Sequence, residues 1–196
     1  MSFIIAKKRK VKVIPLYKDE KSLIRKALLA NKAAQFGLYE KYSSKMLAVC
    51  KRYVRDVQYA EDVMIQGFLK VFMRLNTFKG NGSFEGWIRK IMVRECINFL
   101  KTNRRLVFKG DVQYRESSGS PRVAMKADAE YLLQLIDELP KGHRFVFMLH
   151  AIEGYKHTEI AQLLKISENT SKSKLSKARK ILQKKLELQR KKNEAL

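Results

Sequence analysis

The sequence predicts an all-α protein with two small helical domains joined by a flexible linker, the second of which ends in a helix-turn-helix. Apolar residues recur every three or four positions through most of the chain, which is the spacing of one helix face. Neither half shows the alternation of apolar and polar residues that marks strands. Residues 106–127 contain Gly, Ser and Pro without a helical period, which is typical of a linker.

The first predicted domain covers residues 21–105 and follows a basic arm at residues 1–20. Apolar stripes mark two helices in its first half and a third helix over residues 60–75. The segment FKGNGS, residues 78–83, predicts a tight turn, because its two glycines and asparagine favour turn conformations. Ser83 is the predicted N-cap of the helix that follows this turn.

The second predicted domain covers residues 128–188 and is followed by a tail at residues 189–196, and the charged end of the chain from Lys184 is expected to fray. Its first helix is followed by a turn at Pro140 and Gly142. The next helix, predicted over residues 144–152, is almost wholly apolar and is therefore expected to be buried.

The end of this domain has the pattern of two helices joined by a short turn. Residues 158–164 predict a short helix, a turn follows at Lys165 and Ile166, and Ser167 can cap a second, longer helix. A solvated lysine face on an ordinary surface helix is the simplest alternative. Hydroxyl and amide groups near the N-terminal end favour a recognition helix in a DNA major groove instead. The apolar stripe predicted to pack inward consists of Leu175, Ala178, Leu182 and Leu186.

The net charge of +23 arises from 42 Lys and Arg against 19 Asp and Glu, and it indicates a polyanionic partner. Nucleic acid is favoured over an anionic membrane surface, because binding to a membrane surface needs a strong apolar face or a lipid anchor and neither is evident. No apolar run is long enough to span a bilayer, so no membrane insertion is expected. The N-terminus has its apolar patch before its basic cluster, unlike a signal peptide, so a cytoplasmic location is expected. The basic arm is either a flexible tail or a segment that follows DNA phosphates.

The sequence contains no pattern that predicts catalysis, so we expect no enzymatic activity, no cofactor and no metal. Cys50 and Cys96 have no CxxC partner and are expected to be buried, reduced thiols. His143, His150 and His157 fall seven residues apart, which we interpret as coincidence, because a metal site needs more ligands. Phosphate-binding glycine loops, paired catalytic acids and Ser/His/Asp sets are all missing from the sequence.

Two separated stretches resemble the extracytoplasmic-function group of RNA polymerase sigma factors in the sigma-70 family. AEDVMIQGFLKVF (60–72) and FKGNGSFEGWIRKIMVRECINFLK (78–101) resemble region 2, which binds the polymerase core and opens the −10 promoter element. LIDELPKGHRFVFMLHAIEGYKHTEIAQLLKISENTSKSKLSKARKIL (135–182) resembles region 4, which reads the −35 element. The resemblance implies as partners core RNA polymerase, through its β′ clamp and β flap, duplex and melted promoter DNA, and an anti-sigma factor.

The resemblance also implies roles for individual residues. Glu61, Asp62 and Gln66 would dock on the β′ clamp. The loop at residues 79–84 would hold a flipped −10 base, with hydrogen bonds from its polar side chains and a phenylalanine as an apolar wall. For Trp87 a core position is favoured, from which the ring would still shape the strand-binding surface. The residues implied for the −10 element are Lys79, Asn81, Ser83, Phe84, Trp87, Arg89, Arg94, Asn98, Lys101, Arg104 and Arg105. Those implied for the −35 element are Thr170, Lys172, Ser173, Ser176, Lys177, Arg179 and Lys180.

Three alternatives stay open at this stage. A helix-turn-helix regulator that acts without polymerase predicts a dimer on symmetric half-sites, and no dimerisation heptad is evident. A nucleic-acid-processing enzyme predicts a carboxylate cluster for a metal, which the sequence lacks. A general packaging protein needs charge alone, and the two well-patterned domains speak against it.

Overall fold

The structure is a computed structural model and describes residues 19–102 and 127–194. Every regular element in these two ranges is helical, which confirms the all-α prediction. Residues 106–126 of the predicted linker, Arg104, Arg105 and nearly all of the basic arm fall outside the described residues, and the last linker residue, Ala127, begins a helix. The helices are α1 Glu20–Leu28, α2 Lys32–Tyr53, α3 Val57–Met73, α4 Phe84–Thr102, α5 Ala127–Asp137, α6 Lys141–Phe147, α7 His157–Leu164 and α8 Glu168–Glu194, with a 3-10 turn at Leu75–Thr77 and a π-helical turn at Met148–Ile152.

In the first domain, α2, α3 and α4 pack against one another, and α1 lies across α2. Polar N-caps start the first three helices, because the carboxylates of Asp19 and Asp56 and the amide oxygen of Asn31 accept backbone N–H groups. Helices α3 and α4 approach closely at Gly67, where a Cβ atom would lie 2.2 Å from the Met92 sulfur. This glycine therefore allows the contact that fixes α4 against the core.

In the second domain, α8 packs along α6 and α7. The predicted stripe is buried at Leu175, Ala178 and Leu182, but Leu186 is 41% exposed, so the prediction was wrong there. Helix α8 continues to Glu194, into the charged end of the chain that was predicted to fray. The second domain is too short to cover the last turns of so long a helix, which explains why Leu186 remains exposed.

The two domains contact each other through buried polar and aromatic groups. The ring of Tyr53, at the end of α2, stacks on Phe145 with centroids 6.4 Å apart. Arg144 is 5% exposed, donates to the backbone carbonyl of Arg52 and pairs with Asp137 at 2.9 Å. Because the charge of Arg144 is buried, the pKa of its guanidinium is lowered.

A second interdomain contact joins Arg89 of α4 to Glu153, the residue after the π-helical turn. The guanidinium donates two hydrogen bonds to the carboxylate, at 2.5 Å and 3.0 Å. The Glu153 side chain is 3% exposed, and these hydrogen bonds raise the pKa of Arg89. Such a paired, two-bond geometry is the strongest form of arginine–carboxylate contact.

We expect Glu153→Gln to loosen the contact between the domains. A buried charge pair that loses one partner leaves the other charge uncompensated, at a cost of about 2–5 kcal/mol. The radius of gyration from small-angle X-ray scattering should therefore rise. Glu187→Gln, at an exposed glutamate on α8, is the matched control. An unchanged radius in both variants would show that this pair does not hold the domains together.

Two further pairs of side chains meet in the fold, one within each domain. Cys50 and Cys96 are both buried and free, as predicted, and a hydrogen bond with Cys50 together with burial raises the pKa of Cys96. His150 and His157 stack with ring centroids 4.4 Å apart, so their spacing has a structural consequence that the sequence interpretation missed. Within the described residues, no group of His, Cys, Asp and Glu is arranged to hold a metal ion.

Candidate nucleic-acid interface

Helices α7 and α8 form the predicted helix-turn-helix, and local capping fixes both of its starts. The Glu159 carboxylate accepts the backbone N–H of Lys156 at 2.8 Å, at the start of α7. The turn bends at Lys165, whose φ of 54° lies in the left-handed region. The Ser167 hydroxyl accepts the backbone N–H of Thr170 at 3.0 Å, so Ser167 is the N-cap predicted for α8.

The outward side of α8 carries its polar residues in two adjacent rows. One row contains Ser173, Lys177 and Lys180, all exposed. The other row consists of Lys172, Ser176, Arg179 and Gln183. These four residues line a cavity of about 370 Å³ beside His157. Six of the seven predicted −35 residues are therefore exposed on this side of α8. The exception is Thr170, which is half-buried and whose hydroxyl lies 2.8 Å from that of Ser167.

His157 connects α7 to the buried side of α8. Its Nδ1 lies 2.8 Å from the hydroxyl of Ser171, which is 0% exposed. Burial lowers the pKa of His157, and the charges of His150 and Lys172 lower it further. A neutral imidazole is thus favoured at the edge of the cationic face.

In the first domain, the predicted base-binding loop lies between the 3-10 turn and α4. Gly80 and Gly82 adopt φ values of 75° and 93°, which favour glycine. Lys79, Asn81 and Ser83 are exposed around this bend. The Ser83 hydroxyl accepts the backbone N–H of Gly86 at 3.1 Å and so caps α4, as predicted.

An aromatic cluster supports the loop from below. Phe84 is 2% exposed and lies against Tyr42, Phe78 and Trp87, with ring centroids 5.0–5.8 Å apart. The ring of Phe84 therefore belongs to the core, and Phe84 also lines the cleft beside the loop, so its role as the apolar wall of a base site stays a prediction. Trp87 is half-buried on the same cluster, in line with the core position favoured for it.

We expect Phe84→Ala to destabilise the first domain by about 3–5 kcal/mol, because it empties a fully packed aromatic site. Urea unfolding should show a lower midpoint. Phe36→Ala removes a ring that is 54% exposed and should change stability by no more than about 0.5 kcal/mol. Equal effects of the two substitutions would contradict the core position of Phe84.

Helix α4 separates the remaining predicted −10 residues. At 100° per residue, Trp87, Arg94, Asn98 and Lys101 share one side of the helix, and Arg89 lies about 150° away from them. Arg94 and Asn98 are exposed and Lys101 is half-buried. The contact with Glu153 occupies Arg89, so in this arrangement of the domains its charge is not available to DNA.

The residues predicted to dock on polymerase lie together on the outside of α3. Glu61, Asp62 and Gln66 are exposed, and neither carboxylate has an ion partner among the described side chains. Three exposed apolar side chains continue the same side of the helix, and the sequence interpretation missed them. They are Ile65, Leu69 and Met73, which are 47%, 51% and 80% exposed and recur at every fourth position.

Comparison with known protein families shows what the two halves of the chain resemble. Residues 38–106 match the profile of Sigma-70 region 2, and residues 129–182 match that of Sigma-70 region 4. The two matches together cover more than half of the chain. The chain belongs to the sigma-70 family.

Its curated relatives include members of the extracytoplasmic-function group. RNA polymerase sigma-H factor of Pseudomonas aeruginosa is 26% identical over 182 residues, covering 86% of this chain and 94% of the relative. The ECF RNA polymerase sigma-E factor of Escherichia coli K12 is 25% identical over 163 residues, covering 76% of this chain and 85% of the relative.

A solved structure shares the fold of this sigma factor. The sigma factor RpoE of Bartonella quintana, determined in complex with the anti-sigma factor NepR, aligns with a TM-score of 0.52. The alignment covers 85% of this chain and 96% of that one, at 20% identity. Within the described residues, no helix combines the length and the apolar character needed to cross a membrane.

Proposed function

We propose that this sigma factor binds core RNA polymerase, recognises the −10 and −35 promoter elements and supports promoter opening. The observation that carries the proposal is that each matched region exposes a chemically distinct face. In region 2, α3 presents Asp62 beside exposed apolar side chains. In region 4, α8 presents a cationic face next to the helix-turn-helix bend.

The face of α8 suits duplex DNA, because lysine and arginine neutralise phosphates while exposed hydroxyls can reach base edges. Ser173, Ser176 and Lys177 would meet bases and phosphates at the major groove of the −35 element, and Arg179 and Lys180 would add phosphate contacts. The Lys172 ammonium lies 2.7 Å from the Glu168 carboxylate, so a phosphate would have to compete with that acid.

Promoter opening would follow from preferential binding of the unpaired strand, with no catalytic step and no cofactor. The loop with Lys79, Asn81 and Ser83 would hold an extruded base by hydrogen bonds, which offsets its loss of stacking. Arg94, Asn98 and Lys101 would follow the strand along α4. A contact from Arg89 would require the pair with Glu153 to open first.

An anti-sigma factor is a further proposed partner, supported by the complex in which the Bartonella quintana protein was determined. Together with action on promoter DNA, these partners imply that the protein works in the cytoplasm.

Run-off transcription with purified core polymerase tests the proposal. The template is DNA from the gene's own upstream region, and the reaction is run with and without this protein. A new transcript with a defined start is the expected result. If the protein instead binds that DNA equally well with and without polymerase and no transcript forms, a polymerase-independent helix-turn-helix regulator becomes the better account.

A further inference from the structure

A cleft of about 390 Å³ separates α1 from the predicted base-binding loop. The loop side of the cleft is formed by residues already assigned to the −10 element, together with Phe78. The other side is formed by α1, a helix to which neither the resemblance nor the region 2 profile gives a role, since that match begins at residue 38. The α1 residues that line it are Glu20, Lys21, Ile24, Arg25 and Leu28.

The cleft combines an apolar floor with an excess of positive charge. Ile24, Phe78 and Phe84 supply apolar surface at the bottom, and Leu28 is 47% exposed at the edge. The cations on its walls are Lys21, Arg25 and Lys79, and none of them has an ion partner among the described side chains.

The acid in the cleft does not offset this excess, because Glu20 is already engaged. The Lys41 ammonium lies 2.6 Å from its carboxylate, and the Tyr42 hydroxyl donates a second hydrogen bond to it. A ligand of this cleft should therefore be flat and apolar in one part and anionic in another.

The loop backbone leaves room for such a ligand. A Cβ atom at Gly80 or Gly82 would meet nothing within 4 Å, so the space above both residues is open. The Ser83 oxygen accepts the N–H of Gly86, which leaves the hydroxyl hydrogen available to donate. An unpaired nucleotide matches these features, since its base is flat with hydrogen-bonding edges and its phosphate is anionic.

We propose that α1 forms the second wall of the site that holds one unpaired nucleotide of the −10 element, with Arg25 and Leu28 as specificity-determining residues. The inference rests on the proposed function of the loop. Leu28 packs on the face of the base. Arg25 has only donors, so it selects a base whose exposed edge carries acceptors, as the O6 and N7 atoms of guanine do.

The test is a competition assay with the full chain. A labelled oligothymidine strand is displaced by unlabelled strands in which one central base is thymine, guanine, adenine or cytosine. The wild-type chain should prefer the guanine competitor by about fivefold or more, which is the lower range for one base contact, and a preference for another base would contradict the role of Arg25. For Arg25→Ala, the affinities for the four competitors should lie within about twofold of one another. Leu28→Ala should weaken the binding of all four competitors by about fivefold, because an apolar contact is lost.

Two neighbouring substitutions are the controls. Leu29→Ala removes an adjacent leucine that is 80% exposed and does not line the cleft, and Lys32→Ala matches the charge change of Arg25→Ala. Both should keep the wild-type ranking, and circular dichroism verifies that every variant is folded. The inference is overturned if the wild-type chain does not rank the competitors, if Arg25→Ala keeps the ranking, or if Lys32→Ala loses it equally.

This assay separates the inference from the proposed function, because it contains no polymerase and no promoter. A chain that directs transcription but does not rank the strands would refute only the role of α1. A chain that ranks the strands without directing transcription would refute the sigma activity and leave the cleft as a single-strand site.

Discussion

Replacing Asp62 by lysine is expected to reduce core-dependent transcription by at least about tenfold, equivalent to ~1.4 kcal/mol of binding free energy. Asp62 is exposed, has no ion partner among the described side chains, and lies one helical turn from Ile65 and Gln66. A carboxylate beside apolar side chains is suited to a partner that offers a cation in an apolar setting. Lysine would place like charges against each other, which costs several kcal/mol at an interface.

The measurement is the run-off transcript, together with a gel-shift titration of core polymerase with the variant. Glu40→Lys is the matched control, because it makes the same charge change at an exposed position on α2. The docking assignment fails if both variants support equal transcription, or if Asp62→Lys lowers transcription while its binding to core stays unchanged.

The double substitution of Lys177 and Lys180 by alanine should weaken binding to duplex promoter DNA by roughly 10–100-fold at physiological salt. Both ammonium groups are exposed on the outward side of α8, where they would neutralise phosphates. The plot of log affinity against log salt has a negative slope, and each lost phosphate contact makes it shallower by about 0.9. The double substitution should therefore make the slope shallower by about 1.8.

Fluorescence anisotropy of a labelled duplex over a salt series measures both quantities. Lys32 and Arg74, replaced together by alanine, give a control chain with the same net charge and an unaltered second domain. If the control loses as much affinity and slope, total charge rather than the face of α8 determines binding.

The helical elements could be predicted from local sequence because their causes are local. The spacing of apolar residues predicted the helices. Ser83 and Ser167 cap α4 and α8, as predicted, and the turn between α7 and α8 bends at Lys165, as expected. The error at Leu186 has a different cause. A stripe shows which side of a helix could pack, but only the size of the neighbouring domain decides how far along the helix it is covered.

The assignment of single residues to the site depended on information that the sequence does not contain. Phe84 and Ser83 are neighbours in the chain, yet one ring is buried against Tyr42 while the other side chain is exposed. A phenylalanine beside a glycine turn is compatible with both positions, because its burial depends on α2, some forty residues earlier in the sequence.

The sequence by itself determined the all-α class, the division into two helical domains, the strongly basic charge and the position of the helix-turn-helix. These follow from periodicity, caps and composition, which act over a few residues. Only the tertiary structure decided that Arg89 is held by Glu153, that α1 closes a cleft with the loop, and that Ile65, Leu69 and Met73 lie exposed beside Asp62. Each of these depends on helices brought together from distant parts of the chain, and local patterns do not specify which side chains then meet or remain uncovered.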